Sequence, residues 1–176
     1  KVKVGETTTN HDVKAVEYFL KEQMKKNVDE LVGRINGRFG NIRWTPIQYQ
    51  YRSLSFSSLV SLYQTADIAV ITPLRDGMNL IAKEYVASRV NGDGVLILSD
   101  MIGAAKELGE AILINPNNQW EIADALQEAL QLSKKEQKRR MQKMQERLQR
   151  YDVVHWADHF LTDLLRIKEE QKKFES

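Results

Sequence analysis

From His11 to about Val32, apolar residues recur every three or four positions: Val13, Val16, Leu20, Met24, Val28 and Leu31. That period predicts an amphipathic helix, with Asn10 or Thr9 as its cap. The next stretch, Gly33-Arg-Ile-Asn-Gly-Arg-Phe-Gly40, carries three glycines and predicts a turn that ends the helix. The pattern then shortens. Runs of β type at Ile47–Tyr51, Asp67–Thr72, Gly94–Ser99 and Ala111–Asn115 alternate with helical patterns at about 56–66, 79–91 and 103–109. Ile68-Ala-Val-Ile71 and Val95-Leu-Ile-Leu98 are apolar throughout, the signature of parallel strands covered on both faces. Strands alternating with helices predict an α/β fold, a doubly wound, partial Rossmann-like parallel sheet of about four strands. After Pro116 the pattern is helical alone, at about 119–132, 134–150 and 153–173. The whole of 1–176 reads as a single domain, with residues 1–28 an atypical N-terminal helix and 166–176 a polar tail that frays or continues as a linker.

Composition narrows the chemistry more than the fold. The 176 residues include no cysteine, which excludes disulfides, thiolate catalysis and cysteine-held metals and suits a reducing compartment, so the cytoplasm is the expected location. The N-terminus has no apolar signal region, and no apolar run approaches the roughly 18 residues that cross a bilayer. A first residue of Lys points to a fragment of a longer chain. Net charge is only +2, so nucleic acid or an acidic membrane is not expected as a partner from bulk charge.

The chemically informative stretch is Thr72-Pro-Leu-Arg-Asp-Gly-Met-Asn-Leu-Ile-Ala-Lys-Glu-Tyr85, where a predicted strand ends and a helix begins. Ligands of open parallel sheets bind at that edge. Pro73 stops the strand, and Gly77 allows close approach of backbone to ligand. The amides near Asn79, Leu80 and Ile81 are free at the positive end of the helix dipole, an anion site made of backbone. Asp76 before the helix and Glu84 within it are placed to accept hydrogen bonds from sugar hydroxyls flanking a bound phosphate. The competing reading makes Asp76 a plain helix cap and pairs Glu84 with Lys83 or Arg89.

These residues, together with Gly33–Gly40, Trp44-Thr-Pro46, Ala66-Asp67, Gly94–Ser99, Gly103-Ala-Ala-Lys-Glu-Leu108, Asn115-Pro116 and His155-Trp156, resemble trehalose-6-phosphate synthases over roughly Asp29 to Lys168. Those enzymes are retaining glycosyltransferases of the GT-B type, with two Rossmann-like domains, and move glucose from UDP-glucose to glucose 6-phosphate. The resemblance implies a C-terminal, donor-binding part. It gives Asp76 a catalytic place on the transferred glucose, with the backbone of Gly77, Met78 and Asn79 beside the same sugar. Leu80 and Ile81 become backbone donors to the diphosphate, Glu84 the acid on the ribose diol, and Leu54 a backbone contact to the uracil. Neither a cofactor nor a metal is implied, since the leaving phosphate oxygen is thought to serve as base. The acceptor-binding N-terminal domain, and an Arg and a Lys that neutralise the diphosphate, are not in this sequence. Binding of glucose 6-phosphate is therefore expected only with that domain, and no turnover from this chain alone. The second function class is a Rossmann-like binding or scaffold module with an idle nucleotide site.

Five features stand apart. Where the family has a Ser/Thr-Arg-x-Asp-Val stretch, this chain has Thr9-Asn10-His11-Asp12-Val13, and Asn10 cannot replace a guanidinium on the acceptor phosphate. Residues 1–24, in particular Thr7–Glu22, instead resemble a segment of adenylosuccinate lyase. In a Rossmann strand order, the Ile47 strand and the Asp67 strand would be separated by two strands that this sequence lacks. Either the two dock directly, or the open edge favours self-association into a homo-oligomer. His155 and His159, four apart beside Asp152, Asp158 and Asp163, suggest a metal pair but lack the His-Glu-x-x-His pattern, which favours a packed helix surface. The helix from Lys134 to Arg150 carries about +6, but without interleaved aromatics, and Met141, Met144 and Leu148 form an inward stripe; a solvated face is the favoured reading.

Overall fold

The computed structural model describes residues 10–150 and 153–174. Two compact units divide it, 1–53 and 54–176.

In the first unit a single helix, α1, runs over Asn10–Phe39. The predicted turn at 33–40 is therefore mostly helix. Gly33 and Gly37 keep negative φ and have open space where a Cβ would lie. A glycine inside a helix costs about 1 kcal/mol relative to alanine, which weakens the helix without stopping it. The helix ends only at Gly40, whose amide donates to the Asn36 carbonyl at 2.8 Å. The predicted strand at Ile47–Tyr51 is absent. Its first peptide is already satisfied: the Ile47 amide donates to Asn36 Oδ1 (2.9 Å), and Asn36 Nδ2 donates to the Ile47 carbonyl (2.8 Å). A side-chain amide that pairs as a backbone would leaves Ile47 with nothing to offer a ladder. The side chain of Asn10 and the proposed Thr9 cap lie outside the described residues.

The second unit holds the sheet. Helix α2 (Phe56–Thr65) precedes β1 (Ile68–Ile71), then α3 (Leu80–Ser88), β2 (Val95–Ser99), α4 (Ala104–Glu107), β3 (Ile112–Ile114), α5 (Gln119–Gln131), α6 (Lys134–Arg150) and α7 (Val153–Phe174). The strands are parallel in the order β1-β2-β3, with Ile68 opposite Val95 and Ile97 opposite Ile112. The α/β class is as read from the sequence, with three strands among the described residues where about four were expected.

Strand β2 is central and all five of its residues are buried. Leu96 and Leu98 pack with Tyr85, Val86, Leu108, Met141 and Met144 on one face. Val95 and Ile97 pack with Ile112, Ile114, Ala125 and Ala129 on the other. That alternation is the pleat of a sheet wrapped by helices on both sides. β1 departs from the expectation of burial on both faces. It is the edge strand, and Val70 is 43% exposed.

Helix α6 puts Met141 and Met144 into the core and spends much of its charge on neighbours. Arg139 and Arg140 pair with Glu136, Arg140 also with Glu128, and Arg147 with Glu110. Its uncharged side chains fasten it. Gln137 Oε1 accepts from the Gly94 amide at 3.2 Å, and Gln145 Nε2 donates to the carbonyls of Val86 and Arg89, both at 3.0 Å. Gly94 has φ +103°, and a Cβ there would lie 2.6 Å from the Tyr85 hydroxyl, so only glycine fits. No helix among the described residues is long and apolar enough to cross a membrane.

Candidate functional site

Strand β1 stops at Ile71 before Pro73, and the segment 72–79 carries the chain over the carboxyl end of the sheet to α3. This loop is pinned from the side. The Asp76 carbonyl accepts from the Gly103 amide at 3.2 Å, forming a parallel bridge between Asp76 and Ile102 in the loop after β2. Gly103 sits so close that a Cβ on it would run into the Gly77 carbonyl. Gly77 itself faces open space and keeps an ordinary φ. Its place in the site thus follows from lack of bulk, with no need of left-handed backbone.

Asn79 caps α3. Its Oδ1 accepts from the Ala82 amide at 2.8 Å while its Nδ2 donates to Asp76 Oδ2 at 2.9 Å. The cap is therefore Asn79, and Asp76 is the group the cap holds, which corrects the reading of Asp76 as a plain cap. With Ala82 satisfied, the amides of Leu80 and Ile81 at the first turn have no acceptor among the described residues. The side chains of Met78, Leu80 and Ile81 are all more than half exposed, so they do not wall the amides off beneath a packed core. An exposed helix start with two open N–H groups binds anions through both the dipole and direct bonds.

Glu84 lies one turn along α3 and is exposed. Its hydrogen-bond donor is the Tyr63 hydroxyl, 3.2 Å from Oε2. Neither of the cations considered as its partner is used: Lys83 pairs with Glu107 at 2.6 Å, and Arg89 with Asp93 at 2.6 Å. Burial, reinforced by the Glu84 carboxylate, pushes the Tyr63 phenol above its ordinary value. Leu54, half-buried, immediately precedes Ser55, whose Oγ caps α2 by accepting from the Ser58 amide. Helices α2 and α3 pack on each other, so Leu54 lies in the segment that leads into the helix packed against the one carrying Glu84.

The structure therefore gathers Asp76, Gly77, Met78, Asn79, Leu80 and Ile81 into one loop and helix start, with Glu84 a turn further on. Sequence reasoning gave no site role to Tyr63, to the Asn79 side chain or to Gly103, which entered only as part of the resemblance. A signal existed for two of them: Gly103 opens the helical pattern that follows the buried run Val95–Ser99, and Tyr63 lies four residues from Leu59 on one face of α2. The side chains of His155 and His159 lie outside the described residues, and no group of three or more His, Cys, Asp and Glu gathers among those that are described.

The model of glycosyltransferase family 20 matches residues 7–166, taking in the stretch 7–22 as well. A bifunctional trehalose-6-phosphate synthase/phosphatase of Thermoproteus tenax is 51% identical over 154 residues, which are 88% of this chain and 21% of that protein. Among solved structures, the α,α-trehalose 6-phosphate synthase of Burkholderia multivorans superposes with a TM-score of 0.79 at 38% identity, over 96% of this chain and 35% of that one. An Escherichia coli trehalose-6-phosphate structure with UDP-2-fluoro glucose bound gives 0.77 at 39% identity, over 81% of this chain and 32% of that one. The chain thus spans about a fifth to a third of the length of these relatives. With the match running through both units and through the whole of the loop that carries Asp76 and Glu84, the chain belongs to glycosyltransferase family 20.

Proposed function

We propose that this chain is the donor-binding part of a retaining trehalose-6-phosphate synthase, and that the donor is UDP-glucose. The observation that carries the reading is the start of α3: two open amides at Leu80 and Ile81, with an aspartate fastened on one side and a glutamate one turn along on the other. Leu80 and Ile81 take the diphosphate. Glu84 accepts from the two ribose hydroxyls, and the backbone at Leu54 meets the uracil. Asp76, with the backbone of Gly77, Met78 and Asn79, holds the glucose.

In the reaction this serves, the bond from glucose C1 to the phosphate oxygen breaks and UDP leaves. A hydroxyl oxygen of glucose 6-phosphate bonds to C1 on the same face, and its proton passes to the departing phosphate oxygen. Asp76 is then a catalytic residue in that it touches the sugar being transferred. Its bond from Asn79 leaves its other oxygen and the remaining lone pairs for sugar hydroxyls. Glucose 6-phosphate is held only when an acceptor-binding domain is joined to this part. Alone, the chain forms no trehalose 6-phosphate, because orientation and exclusion of water need both walls of the cleft.

Calorimetric titration of this chain with UDP tests the reading. Saturable binding is expected between about 0.1 and a few millimolar, since backbone donors act without the cations that neutralise a diphosphate. Glu84→Ala weakens it further by about 1–3 kcal/mol through loss of charge-assisted bonds. Absence of saturable heat, or an affinity indifferent to Glu84→Ala, overturns the site and favours a module whose nucleotide site is idle.

A further inference from the structure

Tyr63 is held at its carbonyl and at one edge of its ring. Its carbonyl accepts from Arg89 Nη1 at 3.1 Å, and Arg89 is itself buried. Its ring stands edge-on to Tyr85, with centroids 6.3 Å apart and planes at 86°. Tyr85 is fully buried and donates to the Ala66 carbonyl at 3.1 Å, so the platform under Tyr63 cannot swing. What remains is one polar arm, and it reaches across 21 residues of sequence to donate to Glu84 Oε2. Glu84 has no ion pair among the described residues, its neighbours Lys83 and Arg89 being engaged elsewhere. Without Tyr63, an exposed glutamate would sample several rotamers, and a ligand would have to order it on binding.

We propose that Tyr63 is a positioning residue: its hydroxyl presets the Glu84 carboxylate for the vicinal diol of a ribonucleotide and so sharpens selection for the ribose. This rests on the placement of a nucleoside diphosphate at α3 proposed above. A carboxylate has lone pairs for about four hydrogen bonds, so one bond from Tyr63 on Oε2 leaves enough for both hydroxyls of the diol. The bond also ties α2, which follows Leu54, to α3, so the base-contacting and ribose-contacting elements are set by the same hydroxyl.

The test is a ligand-observed NMR titration, which reads millimolar affinities, of the full chain with UDP and with 2′,3′-dideoxyuridine diphosphate. Tyr63→Phe keeps the ring and its packing on Tyr85, so the fold is retained. It is expected to weaken UDP by about 2- to 10-fold, the cost of ordering one side chain, and to leave the dideoxy analogue unchanged. In a Glu84→Gln background, Tyr63→Phe is expected to have no further effect on UDP. Equal weakening of both nucleotides, or no weakening of UDP while Glu84→Gln does weaken it, overturns the positioning role and leaves the donor site standing. Failure of the wild-type chain to bind UDP, or indifference of UDP binding to Glu84→Gln, overturns the donor site and the role of Tyr63 together.

Discussion

Asn79 performs two tasks with one amide, and they can be separated by two substitutions. Oδ1 closes the first turn of α3 by accepting from the Ala82 amide, and Nδ2 holds Asp76. Asn79→Ala removes both. The lost cap costs about 1 kcal/mol, well above the floor of the 0.5–2 range because Ala82 is fully buried and water cannot replace the acceptor. The bond to the Asp76 carboxylate adds about 1 kcal/mol, discounted from the value for a buried charged bond because Asp76 is only half-buried. The expected loss is about 2 kcal/mol. Asn79→Asp keeps the cap, for which aspartate serves as well as asparagine, and gains a little from the helix dipole. It also places a second carboxylate oxygen where Nδ2 now stands, 2.9 Å from Asp76 Oδ2. Two like charges at that distance cost about 1–2 kcal/mol at neutral pH, and sharing a proton between them relieves the cost in acid. Urea denaturation followed by far-UV circular dichroism at about pH 7 and about pH 4 reads both effects, with the wild type at each pH as reference. The Asn79→Ala deficit should be similar at the two pH values and the Asn79→Asp deficit should shrink at the lower one. The argument fails if Asn79→Asp is as stable as wild type at neutral pH, or if Asn79→Ala costs less than about 0.5 kcal/mol, the floor for a lost cap.

Gly103→Ala should destabilise by about 1–3 kcal/mol and weaken UDP binding together, because the added methyl meets the Gly77 carbonyl and the loop must shift; thermal melts and calorimetry on the same sample check both. Arg89→Lys should cost about 3 kcal/mol in urea denaturation, since a buried guanidinium donates to the carbonyls of Tyr63, Gln64, Ala66 and Asp93 and an ammonium cannot reach that set. The Arg147 hydrogen bonds, at 2.7 and 3.0 Å, hold the Glu110 carboxyl below its ordinary value of 4.5. A depressed folded value means that the stabilisation is complete above the unfolded value and is lost as pH falls through the folded one. Melting temperature should therefore fall with acidification below about pH 4.5, and Glu110→Gln should flatten that part of the slope.

The elements of the second unit were legible because local pattern and burial agree there. Val95–Ser99 is apolar without interruption, and it is the strand with helices on both faces. Pro73 and Gly77 mark the loop, and Asn79, Leu80 and Ile81 fall at the helix start, where open parallel sheets bind ligands. Two kinds of feature were not legible. One is a choice between equivalent residues: Asp76 and Asn79 are both good caps three positions apart, and only the fold decides that Asn79 caps while Asp76 is held. The other is pairing at a distance. Nothing local links Tyr63 to Glu84, or Asn36 to Ile47, yet the first sets the carboxylate and the second dissolves a predicted strand. The same blindness explains Gly33 and Gly37, which punctuate a sequence but lie inside α1, where the cost of each is small enough for the rest of the helix to absorb.

A common device joins these cases. Arg89 apart, backbone that secondary structure does not reach is closed repeatedly by an uncharged amide: Asn36 on Ile47, Asn79 on Ala82, Asn118 on Trp120 and Glu121, Gln137 on Gly94 and Leu132, Gln145 on Val86 and Arg89. An amide carries a donor and an acceptor at fixed spacing and can stand in for a peptide group on both counts, which a carboxylate or ammonium cannot. Several of the charges, by contrast, pair along the surface of their own helix, as Lys25 does with Asp29 and Arg139 with Glu136. Such exposed pairs are worth little and are screened by salt. The consequence for the candidate site is that the groups bonded directly to Asp76 and Glu84 are uncharged. Asn79 and the Gly103 amide hold Asp76 with neutral donors, and Tyr63 holds Glu84 with another. Under the donor reading proposed above, an anion arriving at Leu80 and Ile81 would meet two carboxylates already placed, each held by a neutral donor.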